Sequence, residues 1–348
     1  MGSSWKKITN WELWPFKVIY APLGFVWVYY AIKARAFWFF SNVNPTLEFS
    51  GFEGESKKEM YEQLPKEYYP VTFFVKAREN FDNVRQKVNS SGLTYPVIAK
   101  PEIGMQGILV RKIATEQQLE AYHQQVPEHY LVQDYVDMPM EFSVFHIRYP
   151  GETRGLVTGF ILKEYLQVYG DGKSTLLQLI QHHPKAKYRE EEMRHVHHEM
   201  LNNVIPKDEL YSLSFTGNHN RGARFINLHK EIDQRLCDVF DKISLEAGQF
   251  HFGRYDLKCT SIDDLKAGRN ISILEFNGAG AEPNHIYDCG MSYFDALKEV
   301  VKHWEHLYRI GRINYSKGIP YWSFSAGKKQ LDKAGRFFEK LRRYDLQF

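Results

Sequence analysis

The chain has 348 residues, 43% hydrophobic and 25% charged with both signs mixed, and a net charge of +3. That balance excludes a disordered chain, and so small a charge gives no ground for nucleic-acid binding. Cys237, Cys259 and Cys289 are odd in number and fit no CxxC or Cys/His zinc spacing, so they read as three reduced thiols.

Trp11 to Phe40 is packed with aromatics, and Val18 to Ile32 carries no charge. As one helix this run would rise about 22 Å, short of the roughly 30 Å hydrocarbon core of a bilayer. Pro22 and Gly24 would kink or weaken it. Lys17 lies on one side, Lys33 and Arg35 on the other, and Trp11, Trp14, Trp27 and Trp38 suit a headgroup interface. No small-residue cleavage site follows, which argues against a signal peptide. The first reading is a monotopic or re-entrant membrane anchor. The alternatives are a true span with snorkelling lysines, and a buried helix or dimer contact. The Asn, Pro, Ser and Gly of SNVNPTLEFSGFEGE then mark a loop, and a chain starting near Ser50 is expected to be soluble.

TYPVIAKPEIGMQGILVRKI reads as strand, loop, strand. Val97 to Ala99 is a short apolar run ended by Lys100; Gly104 and Gly107 lie in the loop; Ile108 to Val110 resume a strand. Glycines let a backbone close over phosphate oxygens, and a lysine supplies a point charge. A hairpin loop with ordinary glycines is the plain alternative. In YLVQDYVDMPMEFSVFHI a strand runs into Gln133, Tyr135 and Val136, and Glu141 follows a turn containing Pro139. An adenine needs an apolar slot with strand-edge backbone, and a ribose needs an acceptor such as a carboxylate.

GLVTGFILKEYLQVYGDGKSTLLQLI reads as a strand bearing Lys163, a tight Gly170-Asp171-Gly172 turn and a helix from Ser174. Gly-Lys-Ser is not a P-loop, because position 167 is Gln where that pattern needs glycine. Lys163 either reaches phosphate or only flanks a strand. The Gly-rich stretch with Asn220, Arg221 and Arg224 is suited to the γ-phosphate or to an acidic substrate group, or is a surface loop. His182, His183, His195, His197 and His198 crowd one region without HEXXH, and the last three read as a solvated helix face.

HFGRYDLKC and ISILEFNGAGAEPN place Asp256, Glu275 and Asn277 as if on two neighbouring strands. Alternation puts Glu275 and Asn277 on one face. Two carboxylates and an amide oxygen are hard ligands suited to Mg²⁺; a hairpin with polar ends is the bland reading. KKQLDKAGRFFEKLRRY sets Leu331, Ala334, Phe338 and Leu341 at helical spacing among basic residues. Such a helix either lies on an anionic membrane surface or packs its stripe against the catalytic domain.

The three segments ending at Ile113, at Ile147 and at Asn284, in this order and spacing, resemble the ATP-grasp superfamily over roughly residues 51–300. The nearest likeness is to the D-alanine–D-alanine ligase branch of carboxylate–amine ligases. The resemblance implies an α+β ATP-grasp fold, two α/β subdomains gripping ATP. Residues 1–50 would be an aromatic membrane-associating segment, 51–94 a reduced N-terminal lobe, 95–300 the catalytic domain and 301–348 a basic helical tail. It also implies roles. Lys57, before the first helix, and Lys100 would hold phosphate beneath the loop from Glu102 to Gly107. Gln133 stands where the family usually has glutamate at the adenine edge; Tyr135 belongs to the same edge, and Val136 resembles the hinge whose backbone meets adenine. Glu141 would bind ribose, and Arg254 would steady an acyl phosphate. Asp256, Glu275 and Asn277 would ligate Mg²⁺, two ions being expected. His285 falls where the family places its second-substrate pocket. The GDGKST phrase resembles peptide-forming ATP-grasp enzymes such as cyanophycin synthetases.

The expected function is therefore a ligase on the cytoplasmic side of a membrane. It would join a carboxylate to an amine through an acyl phosphate, with at least one substrate membrane-associated, such as a lipid headgroup or a lipid-linked amino compound. The N-terminal lobe is about half the usual length, which sets D-alanine specificity aside. The rivals are an ATP-grasp kinase that stops at phosphorylation, and a non-enzymatic nucleotide-binding membrane scaffold.

Overall fold

A computed structural model describes residues 10–105, 107–214, 217 and 222–345. The chain forms two compact units, one of residues Met1–Ile161 with Leu228–Phe348, the other of Leu162–Asn227.

The first unit begins with two short helices, α1 (Phe16–Tyr20) and α2 (Gly24–Ala34), joined by a 3-10 turn over Ala21–Leu23. Pro22 lies in that turn and carries no amide donor, so the single helix read over Val18 to Ile32 is broken there. α2 ends at Arg35, whose φ of 54° is left-handed. No helix among the described residues is long and apolar enough to cross a membrane. The aromatic segment divides in two. Trp38, Phe39, Phe40, Val43 and Phe49 are buried, in one cluster with Phe145, Ile147, Phe252, Leu307 and Ile310. Ahead of them α1, α2 and the turn between them bury Ile19, Leu23, Tyr30 and Ala34 but leave Phe16, Val18, Phe25, Val28, Tyr29 and Ile32 exposed.

Next come α3 (Lys57–Gln63), β1 (Thr72–Val75), α4 (Phe81–Ser91), β2 (Val97–Pro101), β3 (Arg111–Ile113), α5 (Glu116–Gln125) and β4 (Tyr130–Asp134). Ser56, Asn80 and Thr115 cap α3, α4 and α5 through side-chain oxygens that accept backbone N–H bonds. The strands form an antiparallel sheet in the order β1-β4-β2-β3. The strand expected at Ile108 starts only at Arg111. Leu109 has a left-handed φ of 56°, and its N–H goes to Asp345 at 3.0 Å instead of to the ladder.

β5 (Met140–Ile147) and β6 (Leu156–Glu164) follow, and the chain returns to this unit with α8 (Gln234–Glu246), β10 (Phe252–Cys259), α9 (Ile262–Lys266) and β11 (Ile271–Asn277). Within the unit this second sheet runs β11-β10-β5-β6. Two long helices, α10 (Tyr293–Ser316) and α11 (Phe324–Asp345), complete the unit. Ala334, Phe338 and Leu341 of α11 are buried in one cluster with Val75, Val97, Ala99 and Val132 of the first sheet. The stripe read in the C-terminal segment is thus spent on protein packing.

The second unit holds β7 (Gln167–Tyr169), α6 (Leu176–His182), α7 (Glu190–Val196), β8 (Leu210–Ser212) and β9 (Arg224–Asn227). β7 and β8 pair antiparallel over a small core of Leu166, Val168, Leu176, Ile180 and Met193. The GDGKST phrase is a turn. Asp171 accepts the N–H groups of Lys173 and Ser174 at 2.8 and 2.6 Å, and a Cβ at Gly170 would meet Pro206 O at 2.0 Å. His195 and His198 are exposed, but His197 is buried against Tyr211 OH and Leu213 O, which corrects the solvated reading for that residue.

Candidate active site in the first unit

β10 and β11 pair so that Arg254 opposes Asn277 and Asp256 opposes Glu275. Directly opposed residues of an antiparallel pair share a face, and so do residues two apart. All four side chains therefore stand on one face of the sheet; spacing implied this for Glu275 and Asn277, and the register adds Arg254 and Asp256.

The register shifts after Asp256, because Leu257 opposes Ile273 and leaves Leu274 as an extra residue. A bulge residue drops out of the ladder, so its carbonyl is free to turn elsewhere. The Leu274 carbonyl accepts from Lys100 Nζ at 3.1 Å and from Tyr61 OH at 2.6 Å. Lys100 also donates to Tyr61 OH at 3.3 Å. Gln133 Nε2 donates to the same hydroxyl at 2.8 Å and to Thr72 Oγ1 at 2.7 Å. Gln133 is thus a buried brace for Tyr61. Burial pushes the Lys100 ammonium down to about 8, against the pull of the Glu275 carboxylate.

Lys57 is the first residue of α3, set by the Ser56 cap. Its Nζ lies 3.4 Å from Glu275 Oε1 and donates to Gly104 O at 3.3 Å. Its N–H donates to Glu102 O at 3.1 Å, while the Ser56 hydroxyl donates to the Glu102 carboxylate. The phosphate-loop candidates Glu102 and Gly104 are thereby tied to the start of α3. Gly107 has a φ of 72°, open to glycine at no steric cost; Gln106 lies outside the described residues.

Arg254 donates to both Asp256 oxygens at 3.2 and 3.1 Å and to Glu282 O at 3.0 Å. Burial opposes its charge, and Asp256 more than offsets this, so Arg254 is held above the usual range. Asn277 Nδ2 donates to Asp256 Oδ2 at 3.2 Å, and the Ser143 hydroxyl donates to Asp256 Oδ1. Glu282 in turn accepts from Tyr287 OH at 2.6 Å and from Tyr20 OH, so the N-terminal segment reaches the neighbourhood of Arg254.

Of the residues read as an adenosine subsite, Gln133 lies on β4, Tyr135 and Val136 in the connection that follows it, and Glu141 on β5. Glu141 opposes Lys258, whose Nζ donates to Val136 O at 3.1 Å. Lys112 Nζ stands 3.7 Å over the Tyr135 ring. His285 does not join this group. Its Nε2 turns to Glu299 Oε1 of α10 at 3.5 Å. Lys163 is buried on β6 at the start of the second unit, and Arg224 on β9 pairs there with Glu164 at 3.5 Å. Asn220 and Arg221 lie outside the described residues.

Sequence reading missed Tyr61, Ser143, the Leu274 carbonyl and Glu282. Tyr61 had a signal: it stands four residues after Lys57, on one helix face. Ser143 also had one, two residues after Glu141 on a strand. The bulge at Leu274 had none.

The donor set suits a hard cation. Asp256, Glu275 and Asn277 offer oxygens from one sheet face, and the neighbouring cations Arg254 and Lys57 already balance their charge.

No family model matches the chain, and no curated protein matches it. Among solved structures it is similar to a bifunctional glutathione synthetase from Pasteurella multocida, with 16% identity, a TM-score of 0.38, and coverage of 72% of this chain and 36% of that one. It is also similar to a D-alanine–D-alanine ligase from Bacillus anthracis (14% identity, TM-score 0.40, 74% of this chain and 68% of that one). A third likeness is to the VanG D-Ala:D-Ser ligase from Enterococcus faecalis (13% identity, TM-score 0.43, 76% and 62%). The chain thus spans about a third of the glutathione synthetase's length.

Proposed function

We propose that the chain is an ATP-dependent ligase that joins a carboxylate to an amine through an acyl phosphate, releasing ADP and phosphate. One observation carries this reading: Arg254, Asp256, Glu275 and Asn277 share a sheet face on which the ammonium groups of Lys57 and Lys100 converge. Phosphoryl transfer asks a protein for position and charge neutralisation more than for covalent chemistry, and this face offers both. Mg²⁺ would be held by Asp256, Glu275 and Asn277 and would neutralise the phosphates. Lys100, braced by Tyr61 and the Leu274 carbonyl, holds phosphate from one side. Lys57, which donates to Gly104 O, holds it from the other. Arg254 faces the reacting group and offsets the charge that develops there. Tyr135, Val136 and Glu141 receive the adenosine.

The ligase works at a membrane, on its cytoplasmic side. Support comes from the outward faces of α1 and α2, where Phe25 is 85% exposed and Ile32 71% exposed. Exposed apolar groups so dense are rarely left to water. Lys17, Lys33 and Arg35 flank them and complement anionic headgroups. The 11 residues of α2 rise only about 16 Å, too short to cross the roughly 30 Å hydrocarbon core, so the contact is made along one face. At least one substrate is then lipid-linked.

The test is ADP release by the full chain supplied with amino acids and membrane lipid extract. A ligase releases ADP and phosphate together. Release of ADP with a stable phosphorylated product would make it a kinase, and no substrate-dependent ADP release would remove the enzymatic reading.

A further inference from the structure

His285, Glu299 and His303 come together in the first unit, away from the sheet face just described. His285 belongs to a single 3-10 turn over Asn284–Ile286. Glu299 and His303 are one turn apart on α10 and so project from one side of it. Their ligand atoms all lie within 4.8 Å of one another. We infer that these three side chains form a binding site for a transition-metal dication, with zinc the best fit, independent of the ATP site.

Geometry argues for it first. Glu299 Oε1 lies 3.5 Å from His285 Nε2 and 3.6 Å from His303 Nδ1. The edge of a tetrahedron with metal–ligand bonds of about 2.1 Å is about 3.4 Å. Small side-chain shifts would therefore place one ion at bonding distance from both pairs. Donor chemistry argues second. Two imidazoles and one carboxylate suit zinc, with a fourth position open to water, whereas Mg²⁺ and Ca²⁺ prefer oxygen throughout.

The surroundings argue third. Both imidazoles are buried, His303 at 2% exposure. A Cβ on Gly159 of β6 would lie 2.2 Å from His285 Nδ1, so the ring sits where only glycine leaves room. Without an ion, His303 Nδ1 is 2.8 Å from Glu299 O and Nε2 is 2.9 Å from Thr158 Oγ1. On binding, the ring would turn off the Glu299 carbonyl and keep its proton on Nε2, beside the Thr158 hydroxyl, which would leave the Nδ1 lone pair for the ion. A second nitrogen held by a neighbouring oxygen fixes the tautomer and orientation of a ligating histidine. Lys302 Nζ, 3.0 Å from Glu299 Oε2, holds the other carboxylate oxygen.

The ion would pin the loop that follows Asn277 to α10. Its role is to hold that loop, which carries Glu282 and Tyr287, in one position.

Full-length protein is stripped with a chelator, then titrated with zinc against a chromophoric chelator, with bound metal counted per chain. One zinc ion per chain is expected, retained by Glu275→Gln and weakened at least about 100-fold in Glu299→Gln and in His285→Asn. Cobalt on the unaltered chain serves as a second measurement that needs no variant. A stoichiometric visible absorption of four- or five-coordinate cobalt is expected. A chain that takes up no zinc, zinc binding unchanged in both variants, or cobalt with no such absorption would overturn the site.

Discussion

The Lys57 ammonium lies 3.4 Å from Glu275 Oε1, so the first residue of α3 is ion-paired to a residue read as a metal ligand. A cation already fills part of the space that Mg²⁺ would need. With nucleotide bound, Glu275 would hold Mg²⁺, which would neutralise phosphate charge, and the Lys57 ammonium would serve the phosphates. Replacing Glu275 with Gln keeps shape but removes the charge both partners use. Glu275→Gln is expected to lose about 10²–10³-fold in ADP release, the scale of removing one electrostatic stabiliser, with little change in melting temperature. Turnover near wild type would remove Glu275 from the site.

Asp256→Asn is expected to differ in kind. It takes the same carboxylate chemistry from the face, but it also leaves buried Arg254 without its partner. Breaking a buried pair costs about 3–5 kcal/mol. Its melting temperature should fall clearly below that of Glu275→Gln, alongside a similar loss of turnover. Equal melting temperatures would mean that the Arg254 pair does not support the fold.

Lys100 gives a pH signature. Burial sets its ammonium at about 8, below the ordinary lysine range. It is protonated below that value and loses its charge as pH rises through it. Affinity for ATP is therefore expected to fall above about pH 8, in kcat/KM and not in kcat, since the former reports the free enzyme. Lys100→Arg remains charged and should flatten that limb. A limb unchanged in Lys100→Arg would assign it to another group.

Tyr61→Phe tests the brace. The hydroxyl joins Lys100, Gln133 and the Leu274 carbonyl. Its loss leaves buried donors and an acceptor short of a partner, at about 1–3 kcal/mol. Calorimetry should show ATP affinity several-fold weaker. Unchanged affinity would show that Lys100 needs no brace.

Much of the site was legible in the chain because a strand's alternation needs no tertiary information. Glu275 and Asn277 share a face as their spacing required, Lys57 meets Glu275, and Lys100 meets the Leu274 carbonyl beside it; that Asp256 joins them is a matter of register. What stayed hidden depends on register and on distant partners. The bulge at Leu274 follows from how β10 meets β11, and Asp345 draws the Leu109 amide out of the ladder from the far end of the chain. The aromatic segment was ambiguous for the same reason, since side chains that face a bilayer and side chains that fill a core look alike in one dimension. Phe39, Phe40 and Phe49 turned inward; Phe25 and Ile32 turned outward.

That division changes the membrane experiment. A chain starting near Ser50 would lose Phe39, Phe40, Val43 and Phe49 from the core, so it is now expected to misfold instead of becoming a soluble enzyme. Phe25→Ser with Ile32→Ser removes only outward groups. Full-length protein should sediment with anionic vesicles more than with neutral ones, and the double variant should stay in the supernatant at an unchanged melting temperature. Equal sedimentation of both proteins would detach this face from the bilayer.

The central claim is that one sheet face grips ATP through its metal, and calorimetric titration of the full chain with ATP tests it most directly. One ATP per chain is expected, tight with Mg²⁺, much weaker without it, and weakened in Glu275→Gln. Absence of ATP binding, or binding indifferent to both Mg²⁺ and Glu275, would contradict the account.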